Sequence, residues 1–412
     1  MSDAAEVRPE VPGRGSGDLV RDPVFAPYFW GKLLANVGIW IHNIASVALV
    51  YSLSRSVLLV GLVTVALFTP QLLLVTLSGA AADRGDRRRQ LLLGRLFCAA
   101  GSFALGTGVL ATNSTGGLPM WFIMSASAFV GLGFTIGGPA MQALIPSLVR
   151  EEELPKAVAL DNFSFAIGRA LGPALGGLIA SGGNLAWAFG VAGIFHLVFA
   201  VIVARLPDQR GRPVATGFDA SIRAGLAYVA RHPTVAAILV GVAAIGVGAD
   251  PALTLAPSLA AQLGGGPDLV GLFASAFGVG AFLVFFVQSW LTTRFGSSRL
   301  GSVGLVCLAG GSLGLLTGWG TGWALACFAL SGAGMTLALT SLGTELYSRV
   351  PDHFRGRIMA LWLLGFVGAR PVAATLNGFL ADRWSLQAAL AVTAVGVLVA
   401  AYVARPSVLS ER

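Results

Sequence analysis

Four ionisable residues, Lys32, Arg169, Asp250 and Arg370, stand inside long apolar stretches of the sequence. A charge in such a setting costs a few kcal/mol or more unless it faces a partner or water, so these residues point to function first. Asp250 is the one acid in its stretch and immediately precedes Pro251. A carboxyl beside a cavity can change charge as its exposure alternates, which makes Asp250 the predicted proton-coupling group and Asp161 the second candidate. A structural ion pair between Asp250 and one of the arginines is the competing reading. Arg169 and Arg370 would suit the walls of a substrate cavity and attract anionic groups, although hydrogen bonding to helix carbonyls explains them equally well. Asn36, Trp40, His42 and Asn43 complete the predicted cavity, with a packing role as the alternative for the histidine.

Other chemistries lack support. Cys98, Cys307 and Cys327 lie in apolar segments without metal-ligand spacing, so neither a metal site nor a disulfide is expected. The sequence contains no phosphate-binding loop, no HExxH and no Gly-x-Ser-x-Gly, which argues against ATP-driven transport and against hydrolysis. No cofactor is expected; the energy source would be a proton gradient. Aromatic and methionine residues are spread widely and specify only a lipophilic interior.

What positions these residues follows from composition. Of 412 residues, 55% are hydrophobic and 11% charged, too little charge to coat a soluble surface. Twelve apolar blocks are long enough to cross a bilayer, the seventh running near 233 to 259. The fold class is therefore an all-α polytopic membrane protein with twelve transmembrane helices in two pseudo-symmetric six-helix halves. Residues 1–22 read as a disordered cytoplasmic tail and 23–205 as the N-terminal half. Residues 206–232 form a cytoplasmic linker with an amphipathic helix, 233–405 the C-terminal half, and 406–412 a second cytoplasmic tail. Of the 27 Lys and Arg, 21 fall on one side of this topology and two, Arg55 and Arg383, on the other. That asymmetry predicts a bacterial cytoplasmic (inner) membrane protein with both termini inside, and explains the net charge of +8 without a nucleic-acid partner.

The segment SGAAADRGDRRRQLL, residues 78 to 92, packs Asp83, Arg84, Asp86 and Arg87 to Arg89 between two apolar blocks. Asp83 at a helix end could accept hydrogen bonds from the N-terminal amides of a helix in the other half, making the loop a cytoplasmic gate; a plain orientation signal is the alternative. LLVGL at 58 to 62 recurs as DLVGL at 268 to 272, an offset of 210 that carries Arg84 onto Arg294. A shorter offset of 201 aligns GGLIA at 176 with NGFLA at 377, and Arg169 with Arg370. Glu345 with Arg294 is the candidate for a second clasp.

Two six-span halves with this loop resemble the major facilitator superfamily. Gly79, Asp83, Arg84, Arg87 and Arg88 match its loop signature, with Asp86 where a second glycine is usual. That replacement is similar to the branch that includes the enterobactin exporter and macrolide efflux proteins. In the fifth span, IGRALGPALGG matches the antiporter motif of twelve-span drug and proton antiporters at Gly168, Gly172, Pro173, Gly176 and Gly177. The fourth span lacks the arginine some of those antiporters carry, so their coupling scheme does not transfer. The resemblance implies a proton-coupled exporter of a drug, macrolide or siderophore, acting as a monomer by alternating access, with the small-molecule substrate, protons and the lipid bilayer as its partners. A lysophospholipid transporter of the same fold is an alternative, and a transport-dead sensor a more distant one.

Overall fold

The structure, a computed structural model, describes residues 15–112, 117–206 and 222–410. The side chains of Asp83 and Arg84 lie outside that description. Twelve helices are long and apolar enough to span a membrane. In the first half they are α1 (Phe25–Ser54), α2 (Val57–Arg84), α3 (Arg87–Ala111), α4 (Met120–Leu148), α5 (Leu154–Ser181) and α6 (Leu185–Arg205). In the second half they are α7 (Pro233–Gly248), α8 (Pro267–Phe295), α9 (Ser297–Leu315), α10 (Thr321–Arg349), α11 (Asp352–Arg383) and α12 (Leu386–Val403). At 1.5 Å per residue, the 30 residues of α1 reach about 45 Å, well beyond an apolar layer of about 30 Å.

The seventh span departs from the single continuous helix expected over 233 to 259. It runs as α7, then the short helices Pro251–Thr254 and Ala256–Gln262. Pro251 and Pro257 each remove a backbone donor from the ladder, and the interruption falls at Ala249 and Asp250. Broken helices are tolerated at membrane depth where other protein segments cover the freed backbone, and here Pro251, Ala252 and Thr254 are all buried.

Both expected tails are partly folded. Residues 16 to 19 form a helical turn that buries Leu19 among Phe25, Tyr28 and Phe199, and Asp22 caps α1 through the amides of Val24 and Phe25. The disordered tail expected to residue 22 is thus corrected for residues 15 to 22, because a leucine with an apolar cleft beside it packs. At the other end Pro406–Ser410 is helical, Leu409 is buried, and Arg349 donates to the Leu409 carbonyl. In the linker, helix Ile222–Arg231 packs on the start of α11: Tyr228 meets the Phe354 ring at 4.6 Å.

Within each half, helices approach through small residues. Between the halves the main seams are α5 against α8 and α2 against α11. They are related by the internal repeat. A Cβ on Gly61 would stand 2.9 Å from the Ala374 carbonyl carbon, and one on Gly271 2.9 Å from Gly177 Cα. Gly61 and Gly271 are 210 positions apart, and Gly177 and Gly378 are 201 apart, the two offsets found in the sequence. Gly378 in turn sits against Val57 and Leu58. These contacts gather toward the membrane face opposite the arginine-rich loops.

Candidate functional site

Asp250 lies at the break in span seven, 5% exposed, and both of its oxygens are engaged. Thr254 donates to Oδ1 at 2.8 Å from the next turn, and the Asn377 side-chain amide donates to Oδ2 at 2.7 Å from α11. Thr393 of α12 donates to Asn377 Oδ1 at 2.7 Å, so the amide is held in one orientation. Among the described residues no cation lies within ion-pair distance of this carboxyl. The sequence singled out Asp250 but not Thr254, Asn377 or Thr393, whose partner lies 127 positions from Asn377.

Arg370 stands seven residues before Asn377 on α11. Its guanidinium carbon lies 5.3 Å from the Phe68 ring of α2 and 4.9 Å from Phe366. Arg169 is held alike, 5.3 Å over Trp40 of α1 and 4.8 Å from Phe277 of α8, with Nη2 3.3 Å from the Met335 sulfur. Each arginine therefore reaches an aromatic ring in the other half of the molecule. The Nε of both is buried and unpartnered.

The second predicted coupling carboxylate, Asp161, forms an ion pair with Lys32 of α1; the two residues are 5% and 3% exposed. Asn36 donates to Ser164 at 3.1 Å on the same α1–α5 seam. Gly168, Gly172 and Gly176 form the rest of it: Cβ atoms there would come within 2.9 Å of Asn36, Trp40 and Ile41. Gly177 faces α8 instead, and the Ala174 amide donates across the halves to Ser275 at 2.8 Å. The antiporter motif thus serves two interfaces, with Pro173 at their junction.

The remaining predicted cavity residues are not brought together. His42 is bonded to Ser102 at 3.0 Å and packed on Phe189, both in its own half. Asn43 and His42 line an enclosed space of about 10 Å³ with Ser46, Ser127 and Leu253, room for one water at most. The large cavity, about 710 Å³ and open, lies elsewhere. It is lined by Leu339, Thr340, Thr344 and Tyr347 of α10 and by Met359 and Trp362 of α11.

At the arginine-rich face the loop signature acts within the first half. Asp86 caps α3 through the Arg89 amide at 3.1 Å. Arg87 donates to the Ala143 carbonyl at 3.2 Å and Arg88 to the Ala204 carbonyl at 2.6 Å, near the C-terminal ends of α4 and α6, where unsatisfied carbonyls attract cations. Gly79 faces open space. The expected Glu345–Arg294 clasp is not formed: Glu345 pairs with Arg349 at 2.8 Å and accepts from Ser298 at 2.7 Å. An arginine one helical turn away on the same helix face is the nearer partner.

The opposite face holds a cross-half contact the sequence did not disclose. Asp382, at the end of α11, accepts from the Val57 amide at 2.7 Å, the Leu58 amide at 3.0 Å and the Ser56 hydroxyl. A carboxylate from one half thus sits on the N-terminus of α2 in the other, the arrangement proposed for Asp83 but at the other end of the seam. The signal was present as an acid one residue before Arg383 on the face of low charge.

Two six-helix bundles meeting along two repeat-related seams, with charged residues buried within the spans, define a major facilitator transporter. The profile of the family described as transmembrane secretion effector matches residues 18–411, and the chain belongs to that family. The enterobactin exporter EntS of Shigella boydii serotype 4 (strain Sb227) is 25% identical over 388 residues, covering 92% of this chain and 90% of that protein. Its counterpart in Citrobacter koseri is 24% identical over the same shares. Among solved structures, the nucleoside transporter NupG superposes with a TM-score of 0.76 at 11% identity, over 93% of this chain and 100% of that one. A bacterial homolog of the human lysosomal transporter Spinster gives 0.75 at 14%, over 93% and 96%. The protein is a multi-pass membrane transporter of the exporting branch of the superfamily, and not an enzyme.

Proposed function

We propose that the protein is a secondary active exporter that uses proton entry to expel hydrophobic or amphipathic small molecules of the drug, macrolide or siderophore kind by alternating access. The observation that carries this reading is Asp250: a buried carboxyl without a counter-ion, at the break of a spanning helix and bonded to α11 of the inter-half seam. A carboxyl so placed is held most cheaply in the neutral form, and releases its proton when the seam opens and water reaches it. The neighbouring cavity on α10 and α11 supplies the space for a lipophilic solute. The relatives' names support a siderophore-like load.

In this reading the arginine-rich face is cytoplasmic, in a bacterial inner membrane with both termini inside. Seam contacts gathered toward the other face then correspond to a form open to the cytoplasm. One chain supplies both halves, so a monomer suffices, and no cofactor is needed beside the proton gradient. The test is uptake into inverted vesicles under an imposed pH gradient, using iron chelators, macrolides and dyes. Wild type is expected to accumulate at least one class and Asp250→Asn none above empty vesicles. Gradient-driven accumulation by the mutant would overturn the coupling role.

A further inference from the structure

Arg169 and Arg370 share three properties. Each is stacked against two aromatic rings. Each has a buried Nε without a partner. Neither has a carboxylate within ion-pair distance among the described residues. They occupy equivalent positions in the two halves, 201 residues apart, and each reaches an aromatic ring of the other half. An aromatic ring offers a guanidinium no oxygen acceptor, so N–H groups held among such rings keep their capacity to donate to a ligand. Met335 sulfur, a weak acceptor, takes one of those of Arg169.

The wide cavity leads toward this pair. On α10, Leu339 in the cavity wall is one helical turn from Met335, the residue touching Arg169. On α11, Trp362 in the wall is followed at four-residue spacing by Phe366 and Arg370, which share its helix face. Both helices run from the arginine-rich face inward along these residues. The inner end of the cavity therefore lies about 6 Å, one turn, from groups that hold the two arginines. The local charge balance is two guanidiniums against the single carboxyl of Asp250, since Asp161 is neutralised by Lys32.

We infer that the transported substrate is an amphipathic organic anion, its acidic group held by the N–H groups of Arg169 and Arg370 and its apolar or aromatic body lying along Leu339, Met359 and Trp362. The inference rests on the export reading above and narrows it to a charge class. Two guanidiniums against one carboxyl would repel a cationic drug, and a neutral one would leave their donors unsatisfied. A free carboxylate and a lysolipid headgroup present the same chemistry to the pair.

Three dyes with one fluorophore and different charge test it: dansylglycine (anionic), dansylamide (neutral) and dansylcadaverine (cationic). Equilibrium binding to the purified, detergent-solubilised full chain is expected to favour dansylglycine by about tenfold or more over the other two. Arg169→Gln together with Arg370→Gln should abolish that preference, while the double Lys variant, which keeps the charge, should retain most of it. Competition by lysophosphatidylglycerol against N-acetyltryptophan assigns the anion's source. Preferential binding of dansylcadaverine, equal binding of all three dyes, or an unchanged preference in the monodisperse Gln variant would overturn the inference. Asp250→Asn should bind dansylglycine at least as tightly as wild type while losing gradient-driven uptake. Loss of anion preference with uptake intact breaks this inference alone; uptake surviving Asp250→Asn breaks the coupling reading alone.

Discussion

Each half of the molecule ties its first helix to its fifth through a buried acid, but the two ties differ in kind. In the first half Asp161 of α5 meets the ammonium of Lys32 on α1, and the pair is neutral as it stands. In the second half Asp250 of span seven meets the neutral amide of Asn377 on α11, and no cation completes it. A buried ion pair carries its compensation with it and holds two helices in one relation. The second acid has no cation partner among the described residues, and in the proposed reading its half is the one whose energy follows the proton supply. In the proposed reading this difference gives Asp161 a structural place and Asp250 the coupling one, where the sequence offered both as coupling candidates.

The sharpest way to break this comparison is to neutralise each acid in turn. Asp250→Asn is expected to reduce gradient-driven transport to the level of empty vesicles while leaving detergent-extracted protein folded, because the amide oxygen can still accept from Asn377 and the amide nitrogen can donate to the Thr254 hydroxyl oxygen. Asp161→Asn should do the reverse: lose stability by about 3–5 kcal/mol through the orphaned Lys32, seen as a lower midpoint in thermal unfolding. Lys32→Met combined with Asp161→Leu should recover most of that loss, and a double mutant no more stable than the single would remove the pairing argument. Next in size is the test of the repeat. Gly177→Leu and Gly378→Leu should impair transport to a similar degree, since each puts a side chain onto a backbone of the other half; a loss confined to one would break the equivalence of the seams. The smallest effect belongs to Asp382→Asn, which removes a charge from an exposed helix end and should cost about 0.5 to 1 kcal/mol. Paired spin labels across that face should show a shift toward separation, and an unchanged distance distribution would deny Asp382 a latching role.

Much of the fold was legible because a bilayer imposes lengths and apolarity that composition alone satisfies, and because the offsets of 210 and 201 reappear in space as Gly61 with Gly271 and Gly177 with Gly378. The break at Asp250 was not, since an alanine- and valine-rich run with Pro251 and Pro257 inside it is compatible with a kinked continuous helix. Nor was the anchoring of Leu19, because the Gly- and Pro-rich residues before it mask a single leucine's burial. For the site, the types of the deep charges were visible but their partners were not. Lys32 and Asp161 are separated by 129 positions, Asp250 and Asn377 by 127, and Asp382 and Val57 by 325. Pattern reasoning reaches a turn or two along one helix. For His42 and Asn36 likewise, the sequence shows polarity within a span, and only the three-dimensional arrangement gives Ser102 and Ser164 as their partners.

The Lys32–Asp161 pair also sets an order in time. Lysine enters with α1, the first spanning segment made, and its counter-charge follows 129 residues later in α5. At synthesis rates of about 5–20 residues per second, α1 waits of the order of ten seconds with an unpaired ammonium that costs up to about 3 kcal/mol at membrane depth. Until then the ammonium is kept at the interface by its own reach or by the insertion machinery, and α1 cannot settle at its final depth. Arrival of α5 delivers the carboxylate and, on the same helix face, the glycines that let α1 close in. The α1–α5 seam therefore closes in a single late step, with only α6 of the first half still to be added.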